Sequence, residues 1–138
     1  MLAVKKLVNF RQIHKPLSRG FSKFENYTDT SSYYDTSRIP VGTDVILSQL
    51  KSQKDAMVLD AGAGSGNYSF ELSKSVKKIV AFEMNDGMIS QMRSKKEKGQ
   101  VNNVEIVQGS LTSEMSEIES LKGKFDLVTC NMVIHHLD

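Results

Sequence analysis

Met57-Val58-Leu59-Asp60-Ala61-Gly62-Ala63-Gly64-Ser65-Gly66 is the stretch on which the reading of this 138-residue chain turns. A short apolar run, Met57 to Leu59, leads without a break into three glycines at alternate positions, and a helix-compatible stretch, Asn67 to Lys78, follows. That order predicts a strand, a tight turn and a helix. Glycines suit such a turn because the chain must reverse through backbone angles open mainly to Gly, and because a ligand can approach a backbone that carries no Cβ. A second apolar run, Ile79-Val80-Ala81-Phe82, ends in Glu83, seventeen residues after Gly66. A carboxylate there lies beside the first strand's tip, where it can accept hydrogen bonds from two ribose hydroxyls. Together the two elements describe a nucleoside-binding βαβ unit.

A dinucleotide fingerprint asks for Gly-x-Gly-x-x-Gly or Ala, and counted from Gly62 its last position falls on Asn67. The same residues resemble motif I of the class I S-adenosylmethionine-dependent methyltransferases, an acidic residue followed by Gly-x-Gly-x-Gly, here Asp60 with Gly62, Gly64 and Gly66. S-adenosyl-L-methionine has no pyrophosphate, and its methionine end is a zwitterion. The resemblance implies that Asp60, Ala61, Gly62, Gly64 and Gly66 hold that end, that Glu83 takes the ribose, and that Met84 with Gly109 and Ser110 flanks the adenine.

Val104 to Gln108 is predicted as the third strand of the unit, with a helix from Asp86 to Lys98 before it and a helix over 112–122 after it. In the family the third strand's tip usually carries an acid for the adenine amine; here Ser110 stands there, a weaker acceptor than a carboxylate. The last element, Phe125-Asp126-Leu127-Val128-Thr129-Cys130-Asn131 through Asp138, resembles motif IV of the ubiquinone and menaquinone methyltransferase-like, small-molecule branch. Phe125 to Val128 is its fourth strand, with Asn131 at the tip near the methionine moiety. His135, the first of an adjacent pair, is the visible general-base candidate, and packing is the competing role for it. Two adjacent helical histidines point roughly 100° apart and do not share a metal, so no metal is expected.

The remaining segments are read from composition. Residues 1–24 hold Lys5, Lys6, Arg11, Lys15, Arg19 and Lys23 and no acid, leaving 12 of the 18 basic residues against all 16 acidic ones in the body. Such an acidic body argues against a nucleic-acid substrate. Residues 1–21 have the make-up of a mitochondrial transit peptide, with Arg19-Gly20-Phe21-Ser22 resembling a cleavage site, or else form a disordered basic leader on a cytoplasmic protein. Residues 25–38, with Tyr33-Tyr34-Asp35 and Arg38, read either as an arm over the cofactor or as a surface segment. A helix follows Pro40, with Val41, Val45, Ile46 and Leu50 inward and Thr43 or Asp44 as its cap. No apolar run reaches the length of a membrane span. Cys130 is read as a buried small hydrophobe.

The expected fold is therefore α/β, a Rossmann-like parallel sheet with flanking helices. The family sheet has seven strands, of which residues 22–138 supply the first four, the cofactor-binding half. The edge of the fourth strand is then expected to be exposed and open to a protein partner. The expected activity is methyl transfer from S-adenosyl-L-methionine to a small-molecule acceptor. A catalytically inactive SAM-binding or assembly module and an NAD-dependent oxidoreductase fragment are the rivals.

Overall fold

The computed structural model describes residues 7–8, 39–111 and 122–131. The tyrosine arm at 25–38, the helix expected over 112–122 save for Lys122, and His135 lie outside the described residues. In chain order the elements are β1 (Leu7–Val8), α1 (Thr43–Ser48), β2 (Met57–Ala61), α2 (Asn67–Ser73), β3 (Lys78–Glu83), α3 (Asp86–Lys98), β4 (Val104–Gln108) and β5 (Leu127–Thr129). The strands form one sheet in the order β1-β5-β2-β3-β4, and every pairing is parallel.

Alternation along the central strands builds two layers of core. Val58, Ile79, Ala81, Val104 and Leu127 face one way and meet Ile46 of α1, Leu72 of α2, and Ile89 and Met92 of α3. Leu59, Ala61, Val80 and Phe82 face the other way, against the partly buried Val107, Leu111, Phe125, Val128 and Cys130. With both faces covered, β2 and β3 read as continuous apolar runs, which is why the sequence located them. The α3 helix starts where Asn85 accepts from the Met88 N–H at 3.1 Å, and it ends in Lys95, Lys96 and Lys98, each charge placed favourably on the helix dipole.

The structure corrects several expectations. The edge of the fourth expected strand, now β5, is not bare: Leu7 and Val8, from the leader, pair with Val128 and Thr129. Two residues of the leader thus belong to the sheet. The cap of α1 is Gly42 at φ 71°, with no side-chain cap, in place of Thr43 or Asp44. Val45, expected inward, is exposed, while its neighbour Ile46 is fully buried. The α2 helix, expected over 67–76, stops at Ser73, and β3 begins one residue early at Lys78.

Candidate functional site

The order of the strands reverses between β2 and β5, since the chain builds outward from β2 through β3 to β4 and then returns to β2's other side. In a parallel sheet this leaves a crevice above the carboxyl ends of the two strands, the usual place for a ligand. The glycine turn, Glu83 and Asn131 all lie at those ends.

The turn is laced to its neighbour. Gly62 and Ala63 N–H both donate to the Phe82 carbonyl, at 2.8 and 3.0 Å. Gly64 N–H donates to Glu83 Oε2 at 2.8 Å, while Glu83 Oε1 accepts from Met84 and Asn85 N–H at 2.9 Å each. Gly109 N–H closes the third tip by donating to the Glu83 carbonyl at 3.0 Å. One carboxylate therefore organises two loops, and Glu83 Oε2 keeps room for a further donor. Met84 is 66 % exposed beside it, an apolar surface at the tip of β3.

Gly64 and Gly66 are glycines for different reasons. Both have left-handed backbones, at φ 58° and 83°. A Cβ on Gly64 would meet nothing within 4 Å, whereas one on Gly66 would stand 2.7 Å from Met92 Cγ and 2.8 Å from Phe70 Cε2. Gly66 lets α2 and α3 close up; Gly64 leaves open space over the turn.

Asp60 is placed differently from its expected role. It is 1 % exposed; Oδ2 accepts from the Ser69 hydroxyl at 2.6 Å and Oδ1 from the Thr129 hydroxyl at 3.0 Å. The carboxylate sits beneath the turn, tying β2 to α2 and β5. It supports the loop from below. Burial pushes its pKa up, the two hydroxyls oppose that, and the charge of Glu83 adds to the rise. Cys130 is half-buried, and burial followed by the Asp60 charge pushes its thiol up as well, away from nucleophile chemistry. Ser69 and Thr129 went unread in the sequence, where nothing links a hydroxyl at 129 to an acid at 60. Ala61 ends β2, buried; Gly109 and Ser110 are half-buried at the tip of β4.

Asn131 is the unsatisfied member. Both polar atoms of its amide are buried with no hydrogen-bond partner among the described residues. Leaving a buried amide unpaired costs about 1–3 kcal/mol per group, so the position calls for a partner, whether water, ion or ligand. Among the described residues no group of three His, Cys, Asp or Glu side chains converges as metal ligands, and no helix is long and apolar enough to cross a membrane.

A family profile described as a methyltransferase domain matches residues 52–138. This chain belongs to that family. Its methyltransferase domain is 38% identical over 71 residues to the 23S rRNA (uracil(1939)-C(5))-methyltransferase RlmD of Aliivibrio fischeri, over 51% of this chain and 16% of that protein. It is 27% identical over 97 residues to the mitochondrial ubiquinone biosynthesis O-methyltransferase of Saccharomyces cerevisiae, over 67% of this chain and 29% of that protein. The chain thus spans less than a third of either relative. Among solved structures, a putative S-adenosyl-L-methionine-dependent methyltransferase of Methanococcus maripaludis shares the fold, with a TM-score of 0.66 at 16% identity over 88% of this chain and 57% of that one.

The cofactor of the methyltransferase domain is S-adenosyl-L-methionine. The residues present fit it: open space over Gly64, the Glu83 carboxylate and the exposed Met84 lie at the carboxyl ends of the strands, with the Asn131 amide buried just past the end of β5. Glu83 brings a carboxylate to that end of the sheet, while Asp60 lies buried beneath the turn with its pKa raised.

Proposed function

We propose that the domain methylates a small-molecule acceptor, with Gly62, Gly64 and the loop backbone holding the methionine end of the cofactor, Glu83 the ribose, Met84 with Gly109 and Ser110 the adenine, and Asn131 the region of the sulfur. When bound, the cofactor supplies an electrophilic methyl group on a sulfonium. The chain's own residues bind and orient: Glu83 fixes ribose hydroxyls relative to the turn it already holds, and Asp60 braces that turn from below through Ser69 and Thr129. Holding donor and acceptor near contact accounts for much of the rate of such a transfer. His135 is the general-base candidate, by resemblance. The observation that carries the reading is the orphaned Asn131 amide at the switch point beside the laced turn.

The small-molecule branch is supported by the motif IV pattern and by the yeast quinone-pathway relative, which also agrees with a mitochondrial destination for residues 1–21. A second reading, an RNA substrate, draws on the RlmD likeness and on a groove at the opposite, amino ends of β3 and β4. There Lys77, Lys78, Arg93 and Lys96 gather, opposed by Glu105, which pairs with Lys78 at 2.6 Å. That cluster is a closer approach to a basic patch than the charge count foretold, yet it lies far from the crevice in the sheet.

The test is a titration of S-adenosylhomocysteine into the full chain, followed by amide chemical shifts. Shifts at Gly64, Glu83 and Ser110 with NADH inert support the reading. A folded spectrum indifferent to S-adenosylhomocysteine overturns it. RNA binding abolished by R93E/K96E would favour the second substrate class.

A further inference from the structure

Lys95 was legible only as one of several cations at the end of α3. In the fold it reaches across to the glycine turn, where its Nζ donates to the Ser65 carbonyl at 3.0 Å and to Asn67 Oδ1 at 2.6 Å. One turn earlier on the same helix, Met92 is fully buried and packs against Gly66. The α3 helix therefore holds the turn at two places, and β3 holds it at a third through Glu83 and Gly64 N–H.

Following the peptide groups shows what this does. The Ala63–Gly64 peptide is fixed at both ends, its carbonyl accepting from Gly66 N–H at 3.0 Å and its N–H donating to Glu83. The Ser65–Gly66 peptide is also fixed at both ends, its N–H on the Ala63 carbonyl and its carbonyl on Lys95. Between them lies the Gly64–Ser65 peptide, whose carbonyl and N–H have no partner among the described residues. That peptide is the part of the turn left for a ligand, beside the open space over Gly64. Without Lys95 the Ser65 carbonyl loses its ammonium partner, and on that side the ligand-facing peptide is held only through the Gly66 N–H on the Ala63 carbonyl.

We infer that Lys95 is a positioning residue for the cofactor: it orients the Gly64–Ser65 peptide through the Ser65 carbonyl and Asn67, without touching the ligand. The inference rests on the cofactor reading given above. Asn67, which breaks the dinucleotide fingerprint, then has a use of its own as the second anchor for the ammonium.

The experiment uses the full chain with K95M, which removes the donors, and K95R, which keeps charge and donors. S-adenosylhomocysteine affinity is measured by calorimetry, and amide exchange at Ser65, Gly66 and Asn67 is measured in ligand-free protein. A hydrogen bond to a charged donor is worth enough that K95M is expected to weaken binding about tenfold or more, with K95R restoring most of it. Exchange at the three amides is expected to rise in K95M before any ligand is added. Equal affinity in K95M and wild type overturns the inference while leaving the cofactor reading intact. If wild type itself does not bind S-adenosylhomocysteine, the cofactor reading fails, and unchanged exchange in K95M would then remove the positioning role too, whereas raised exchange would uphold Lys95 as the turn's anchor. Should K95M fail to fold, K95Q, which keeps a donor without the charge, is expected to fall between K95M's predicted loss and wild type; affinity equal to wild type in K95Q together with unchanged exchange overturns the inference.

Discussion

Alanine at Gly64 and at Gly66 should separate binding from stability within three residues of chain. Both positions are left-handed, so either substitution costs about 1–2 kcal/mol in backbone strain, offset by roughly 0.4–1 kcal/mol from restricting the unfolded chain. At Gly64 nothing is within 4 Å of the new methyl, so the net loss is about 1 kcal/mol. At Gly66 the methyl would be 2.7 Å from the Cγ of a fully buried Met92 and 2.8 Å from Phe70. Overpacking of that kind adds about 1–3 kcal/mol, for a total of about 2–4 kcal/mol out of a domain stability of about 10 kcal/mol. With a urea slope of about 1–3 kcal/mol/M, the two midpoints should differ by about 1 M, G66A lower. S-adenosylhomocysteine titration should rank them the other way, because the Gly64 methyl enters the space the ligand needs. Equal midpoints would refute the packing argument for Gly66, and a G64A protein that binds like wild type would refute the assignment of that space to the cofactor.

Asp60 gives a prediction in pH. Its native pKa is raised above the ordinary value of 3.8, so the native state holds a proton that the unfolded chain has already released. Its contribution is present at low pH and is lost as pH rises from about 4 toward the raised native value, and D60N should lack that slope in urea midpoints measured across pH 4 to 8; parallel slopes would sink the argument. T129V removes a hydroxyl that bonds Asp60 Oδ1 at 3.0 Å and should cost about 1–3 kcal/mol above that window, less below it, by the same assay. In a parallel ladder alternate N–H groups face the partner, so an L7P/V8P double variant removes at least one bond to β5 and should speed amide exchange at Val128 or Thr129 while leaving β3 unchanged. Unaltered exchange at β5 would show the pairing contributes nothing.

The parts legible in the sequence were those whose signal is local. Strands β2 and β3 announced themselves as apolar runs because both faces are covered, and α3 by its Asp86 start and cationic end, while its Asn85 cap went unread. Glycine spacing located the turn, and Glu83 followed from its place at the end of an apolar run. What escaped was set by partners distant in sequence. Asp60 looked like a ligand contact because its hydroxyl partners, Ser69 and Thr129, come from two other elements. Lys95 looked like helix polarity because its acceptors lie thirty residues earlier. Leu7 and Val8 carry no period that two residues could display, and their basic surroundings spoke for a leader. Val45 and Ile46 are adjacent apolar residues, and helical geometry lets only one of them face the sheet.

The pairing of Leu7 with Val128 fixes an order of assembly. These residues are separated by about 120 positions, so closing that loop from an open chain costs about 4 kcal/mol, more than a two-residue ladder returns at about 1 kcal/mol per hydrogen bond. The strand can join only after β5 has docked on β2 and most of that distance has been closed by other contacts. The strand that precedes all the others in the chain is thus among the last to find its place, and in the finished protein it can be withdrawn without breaking any of the bonds that lace the glycine turn to β3.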